Sequence, residues 1–200
     1  VLTICYNYHM HKIELQDGER IDQLFSTDVQ IIQNREVFSY SVDSVLLSRF
    51  PKMPAKKGLI VDLCSGNGAV GLFASTRTKA QIVQVELQER LADMNRRSIE
   101  LNGLEEQLTV INDDLANLPQ YDLRSKVDLM LCNPPYFKVD ESSNLNESEH
   151  YLLARHEIAT NLDNICQVAQ QVLKSNGRLA MVHRPDRFLD ILDKLRIYKL

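Results

Sequence analysis

From Leu59 onward, short apolar runs alternate with stretches whose apolar residues recur every three or four positions. Leu59–Leu63, Gln81–Val85, Leu108–Ile111, Val127–Leu131 and Arg178–His183 are too short for helices and read as strands. Their runs lack polar alternation, so the pattern predicts burial on both faces, as in a parallel sheet. Ala69–Ala74 and Gln88–Asn102 read as helices, the second with Leu91, Met94 and Leu101 at helical spacing and Gly103 at its C′ position. Leu162, Ile165, Val168, Ala169, Val172 and Leu173 line a third helix closed by Gly177, and Phe188, Leu189, Leu192 and Leu195 mark a fourth. Strands separated by helices predict an α/β fold: a doubly wound, mostly parallel sheet with helices on both faces.

Upstream, Val29–Gln33 and Glu36–Tyr40 flank Asn34-Arg35 and predict a hairpin. Ser41 or Asp43 then caps a short helix through Phe50, ended by Pro51 and Pro54. Residues 1–24 read as a partly disordered extension, with Met10 opening the more ordinary segment, and 25–200 as the domain. The final Ile197-Tyr198-Lys199-Leu200 reads as a strand beginning, so the domain is expected to lack its last strands.

Composition narrows the class. The 200 residues are 44% hydrophobic and 25% charged, ordinary globular values. No run approaches the ~18 apolar residues of a membrane span. Cys5, Cys64, Cys132 and Cys166 lie far apart and the five histidines show no metal spacing, which predicts no metal site and a reducing, cytoplasmic setting. The net charge is -4, but the segment from Gln171 to Leu200 holds seven Lys/Arg against three Asp/Glu. That basic end is either a solvated helix or a grip on an anionic partner such as RNA, together with Lys52, Lys56 and Lys57.

In such a fold, ligands sit beyond the carboxyl ends of the strands. Four features occupy those ends: Asp62 with a glycine loop, Glu86, Asp113-Asp114, and Asn133-Pro134-Pro135-Tyr136. Gly66-Asn67-Gly68-Ala69-Val70-Gly71 matches GxGxxG after a strand and before a helix, and Glu86 follows Gly66 by 20 residues. A nicotinamide dinucleotide site must therefore be weighed. Against it, a carboxylate at Asp62 would repel a pyrophosphate. It suits S-adenosylmethionine, which has no phosphate and carries a sulfonium and an ammonium. Glycines at 66 and 68 permit close backbone approach. Glu86 would then accept from the ribose hydroxyls, and Asp113 or Asp114 from the adenine amine.

In Asn133-Pro134-Pro135-Tyr136 the two prolines stiffen the turn. The Asn133 side-chain oxygen and the Pro134 carbonyl can accept from one NH2 group while Tyr136 stacks on the planar group bearing it. Two such acceptors aim a weakly nucleophilic amine at a methyl group and stabilise the charge that develops on it. Cys64 and Cys132, also at strand ends, read as packing residues, since a nucleophilic role would need an activating base. His156, between Arg155 and Glu157, is either a contact to the target strand or a structural ion pair. The acidic stretch Phe137–His150 is either a lid over the site or a plain surface loop.

On these residues the chain resembles the class I S-adenosylmethionine-dependent methyltransferases, and more narrowly the Rossmann-like small-domain group with an NPPY motif. The likeness is greatest to bacterial tRNA adenine-N6 methyltransferases acting on a valine tRNA. It spans about Phe25 to Leu200 and includes Tyr40–Leu47 and Ala154-Arg155-His156-Glu157. The resemblance implies a cofactor loop of Asp62, Cys64, Gly66, Asn67 and Gly68, a ribose acid at Glu86, and an adenine contact at Asp114 rather than Asp113. It further implies a target-amine site at Asn133, Pro134, Pro135 and Tyr136, with Asn133 also near the cofactor, and a tRNA as substrate. Cys64 departs from the pattern, standing where many such enzymes have the loop's first glycine. Protein glutamine-N5 methylation, ribosomal guanine-N2 methylation and, from another class, an NAD-binding oxidoreductase are the competing readings.

Overall fold

The computed structural model describes residues 13–37, 40–134 and 161–200. Strands β3 (Leu59–Leu63), β4 (Gln81–Glu86), β5 (Leu108–Asn112), β6 (Val127–Cys132) and β7 (Leu173–Met181) form one sheet in the order β5-β4-β3-β6-β7. Every pairing in it is parallel. Helices α1 (Val42–Arg49), α2 (Ala69–Ser75) and α3 (Glu89–Leu101) precede β3, β4 and β5, while a 3-10 turn (Leu115–Gln120) and α4 (Leu162–Val172) precede β6 and β7. A last helix, α5, covers Phe188–Ile197.

Burial on both faces follows from the strand sequences. Ile60, Ile82, Leu108 and Leu129 pack with Leu47, Leu72, Phe73 and Ile99 on one side. Val61, Leu63, Val85 and Met130 pack with Leu118, Ile165, Val168 and Val172 on the other. The chain runs outward from β3 to β5, then crosses back to β6. Order therefore reverses between β3 and β6, where a doubly wound sheet opens its crevice.

The N-terminal hairpin differs from the expected one. Its strands are β1 (Glu19–Gln23) and β2 (Gln30–Asn34), and Glu36 and Val37 lie in the turn that follows. β1 lies inside the segment read as an extension. Its sequence, ERIDQ, lacks an apolar run, because its partners are polar. Arg97 of α3 grips the buried Glu19 carboxylate with both terminal nitrogens, at 2.6 and 2.7 Å. β2 lies along α3: Asn102 exchanges two bonds with the Gln30 backbone, at 2.8 and 2.7 Å, and the Ser98 hydroxyl accepts from Ile32 N at 2.9 Å. Side chains of α3 thus satisfy an edge that would otherwise be bare.

Two terminal expectations are also corrected. Helix α4 ends at Val172 rather than at Gly177, which lies inside β7. There the chain loops outward between two registered pairs, Val127↔Leu173 and Leu129↔Arg178, with Asn176 at φ +66°. Ile197 closes α5 instead of opening a strand, and Leu200 N donates to Leu195 O at 2.9 Å across Lys199 at φ +57°. That reversal is a helix C-terminal cap.

The Glu19–Arg97 pair makes the hairpin's attachment testable. Glu19→Ala removes two charge-assisted bonds and should lower the unfolding free energy by ~1.5–3 kcal/mol, read as an earlier urea midpoint. An unchanged midpoint would mean the clamp contributes nothing to stability.

Candidate active site

Because β5, β4, β3 and β6 are adjacent and parallel, their carboxyl ends bring together the residues expected to form the site. Leu63 is paired with Cys132, so the glycine loop after β3 and Asn133-Pro134 after β6 face each other across the crevice. Asn133 is half-buried and Pro134 buried. Pro135, Tyr136, the 137–150 stretch, Ala154-Arg155-His156-Glu157 and Cys5 lie outside the described residues.

The loop's backbone is unusual. Cys64, Gly66 and Gly68 have φ of +55°, +57° and +92°. For Cys64, a residue with a Cβ, this conformation costs ~1–2 kcal/mol, which explains why glycine is the cheaper residue there. A Cβ on Gly66 would meet nothing within 4 Å, so this backbone lies open to a ligand. Gly68 and Gly71 are required by packing instead. A Cβ on Gly68 would stand 2.2 Å from Asn95 Oδ1, and one on Gly71 2.5 Å from the Gln84 amide.

Glu86 holds the loop in place. Its Oε2 accepts from Gly66 N at 2.8 Å and its Oε1 from Gln88 N at 2.9 Å. Its side chain is almost fully buried, and burial raises its pKa. Asn112 at the end of β5 donates to Glu86 O at 2.9 Å, joining the next strand end to this one. Asn67 donates to Ile32 O at 3.0 Å, so it ties the loop to β2.

Asp62 does not line the crevice surface; it is fully buried beneath the loop. Its Oδ2 accepts from Gly71 N at 3.1 Å and from Gln84 Nε2 at 3.5 Å, while Oδ1 has no partner. Gln84 Oε1 and Asn95 Oδ1 are also buried without partners, so three acceptor oxygens share one layer under α2. Burial pushes the Asp62 carboxyl up to about 7. Gln84 and Asn95 were missed in the sequence, although each is a polar residue at a core position: one inside a β-branched strand, the other beside Leu91 and Met94 on the apolar face of α3.

The two acids after β5 are separated by their partners. Asp113 accepts from Asp114 N, Asn117 Nδ2 and the Tyr121 hydroxyl, at 2.7, 2.9 and 2.8 Å, and these bonds lower its pKa. Asp114 caps the 3-10 turn through Ala116 N at 2.9 Å.

A doubly wound sheet with a glycine loop after its first strand and an acid at the end of the next fits one family model, the methyltransferase small domain, which matches residues 28–196. The chain belongs to that family. Among curated relatives it is 27% identical over 164 residues to a tRNA1(Val) (adenine(37)-N6)-methyltransferase of Shewanella loihica, covering 78% of this chain and 65% of that one. A protein of the same name from Aliivibrio fischeri is 30% identical over 143 residues, covering 71% of this chain and 58% of its own length. The chain thus spans less than two thirds of the length of these relatives. The fold recurs in Pyrococcus horikoshii TYW2 in complex with MeSAdo, at TM-score 0.64 and 15% identity, covering 92% of this chain and 61% of that one. It recurs also in geranyl diphosphate methyltransferase in complex with SAM, at TM-score 0.55 and 13% identity, covering 79% and 57%.

Four of the seven cations in the basic end of this family member have acidic partners. Lys174, Arg184, Arg187 and Lys194 are each in an ion pair, with Asp128, Asp186, Asp190 and Asp163. Lys52, Lys56 and Lys57 enter β3 from the amino edge of the sheet, the edge opposite the crevice. Among the described residues no helix is long and apolar enough to cross a membrane, and no group of three His, Cys, Asp or Glu is placed to hold a metal ion.

The raised Asp62 pKa carries a definite sign. A carboxyl near 7 in the fold and near 3.8 when unfolded favours the fold while protonated. That contribution is full below pH ~4 and lost as pH rises toward ~7, on the order of 3–5 kcal/mol. The gap in unfolding free energy between wild type and Asp62→Asn should therefore move in favour of the variant between pH 4 and pH 8. A gap constant with pH, measured by urea denaturation, would place the Asp62 pKa in the ordinary carboxylate range.

Proposed function

We propose that this protein transfers a methyl group from S-adenosylmethionine to the N6 amine of an adenine in RNA, of the tRNA class. The observation that carries the reading is the placement of Asn133 at the end of β6, directly across the strand-order reversal from the glycine loop after β3. Family membership supports methyl transfer, and the names of the relatives support the adenine in tRNA as target.

The residues fit the cofactor. Gly66 offers open backbone, Glu86 is a fixed strand-end carboxylate, and the unpartnered Asp62 Oδ1 lies below the loop with no ion-pair partner among the described residues. A cationic sulfonium with an ammonium suits that negative floor. Glu86 Oε1 and Oε2 would receive the two ribose hydroxyls with the lone pairs their backbone donors leave. Asp114, which accepts one bond where Asp113 accepts three, is the better acceptor for the adenine amine. S-adenosylmethionine, when bound, supplies an activated methyl on a good leaving group.

The chain's own work is then to aim and to desolvate. The Asn133 side-chain oxygen and the Pro134 carbonyl accept the two hydrogens of the target NH2. Held this way, the amine nitrogen would be aimed at the cofactor's methyl group, and both acceptors would stay in place to meet the positive charge that develops on nitrogen as the methyl is transferred from sulfur. An amide is no base, so the proton leaves to water after transfer. Tyr136 would stack on the base and exclude water from its face.

Asn133→Ala should lower turnover on tRNA by about 10²–10³, with cofactor affinity changed no more than a few-fold, because the lost acceptor meets charge that exists only during transfer. Tyr136→Ala should lose stacking of ~1–3 kcal/mol, while Tyr136→Phe keeps much of the activity. Single-turnover transfer of labelled methyl to total tRNA, followed by nucleoside digestion, reads both. Near-normal turnover in Asn133→Ala would end the proposed amine site, and label on a protein glutamine or on guanine would move the target class.

Glu86→Ala should weaken S-adenosylhomocysteine binding roughly 10- to 150-fold, through the loss of bonds worth ~1.5–3 kcal/mol. The loop bond to Gly66 goes with them, so Glu86→Gln, which keeps one acceptor oxygen, should fall between. Calorimetry giving unchanged affinity for both would remove Glu86 from the site.

A further inference from the structure

Two thiols meet at the crevice with no role in the chemistry above. Cys132 is the last residue of β6 and fully buried; Cys64 is the first residue past β3 and half-buried. Both pack into the core layer on the α4 side of the sheet. The registered pair Leu63↔Cys132 sets Cys64 one step beyond Cys132's neighbour. A strand spacing of ~4.8 Å and a rise of ~3.3 Å put their Cα atoms about 6 Å apart, inside the range a disulfide spans. The neighbouring Cys64 thiol, ahead of burial, holds the Cys132 thiol well above its ordinary range. Cys64 holds a left-handed backbone, φ +55°, where glycine would be relaxed.

We propose that Cys64 and Cys132 form an oxidisable dithiol that hydrogen peroxide converts to a disulfide bridging β3 and β6, and that a cofactor bound on the glycine loop protects it. Cys64 is the entry point because it is the more exposed of the two. Its thiolate attacks the peroxide, the O–O bond breaks, and Cys64 becomes a sulfenic acid as hydroxide leaves. The Cys132 thiol then loses its proton and attacks that sulfur. The S–S bond forms, the S–O bond breaks, and a second water departs. Two thiols are oxidised and one peroxide is reduced to two waters. Cys166 is the control: its thiol, pushed up to about 11 mainly by burial, lies on α4 rather than at a strand end.

The protection half rests on the proposed function, since it requires the cofactor to lie over Cys64. The test treats the reduced protein with hydrogen peroxide, with and without saturating S-adenosylhomocysteine, and maps disulfide-linked peptides by mass spectrometry before and after dithiothreitol. The expected result is one reversible Cys64–Cys132 bridge. It persists in Cys166→Ala, is lost in Cys132→Ala and in Cys64→Gly, and forms at least tenfold more slowly with ligand bound. Cys64→Gly, which relaxes the left-handed backbone, guards against loss through misfolding. No bridge, or one through Cys5 or Cys166, overturns the dithiol. A bridge forming at the same rate under calorimetrically verified saturation overturns the protection. If the reduced protein binds no S-adenosylhomocysteine, the proposed function fails, and the peptide map alone decides the dithiol.

Discussion

The carboxylate of Glu86 holds the glycine loop in the one shape on which the rest of the crevice depends. Three of the five residues from Cys64 to Gly68 sit at positive φ, a backbone with little preference of its own for one conformation. Glu86 takes Gly66 N with one oxygen and Gln88 N with the other, so a single side chain binds the end of β3 to the start of α3. Burying a carboxylate costs free energy, visible in its raised pKa, and the two backbone donors offset part of that cost. α2 begins where the loop ends, so its direction, and with it one wall of the crevice, follows from this bond.

Beneath the loop the core is polar where a purely structural core would be apolar. Asp62, Gln84 and Asn95 are all fully buried, yet each leaves one oxygen without a partner. Gly68 and Gly71 explain how close this layer lies, because a methyl group at either position would collide with Asn95 or Gln84. Unsatisfied buried acceptors destabilise a fold. Three such oxygens under the glycine loop, one of them on a carboxyl that titrates near 7, would favour a cationic ligand above them.

The sheet was legible because buried parallel strands announce themselves as apolar runs, here bounded by Gly, Asp and Asn. The acids followed, since parallel strands place all their carboxyl ends on one edge. β1 was not legible: it is held by Arg97 and paired to a strand anchored on α3 side chains, so no apolar pattern marks it. Gly177 was misread because a glycine after a helix usually caps it, whereas here the pairing with β6 starts at Leu173. The charge of the last thirty residues was legible, but the partners of two of its lysines were not. Asp128 and Asp163, which pair with Lys174 and Lys194, are distant in sequence. Gln84 and Asn95 carried a signal, a polar residue in an apolar register, that becomes specific only once the glycines are seen to press on them.

GxGxxG loops hold dinucleotides by aiming free backbone N–H groups at a pyrophosphate. In this loop four of those groups are occupied. Ser65 N donates to Val85 O, Gly66 N to Glu86, Gly68 N to Ser65 O and Gly71 N to Asp62, at 3.0, 2.8, 2.9 and 3.1 Å. A phosphate would have to displace a carboxylate from Gly66 and sit above a second one at Asp62. Repulsion from both, in a buried setting where charges are weakly screened, opposes that exchange. A nucleoside without phosphates faces neither penalty. The same glycine pattern that raised the dinucleotide reading in the sequence therefore argues against it in the fold, through the two acids that take the N–H groups of Gly66 and Gly71.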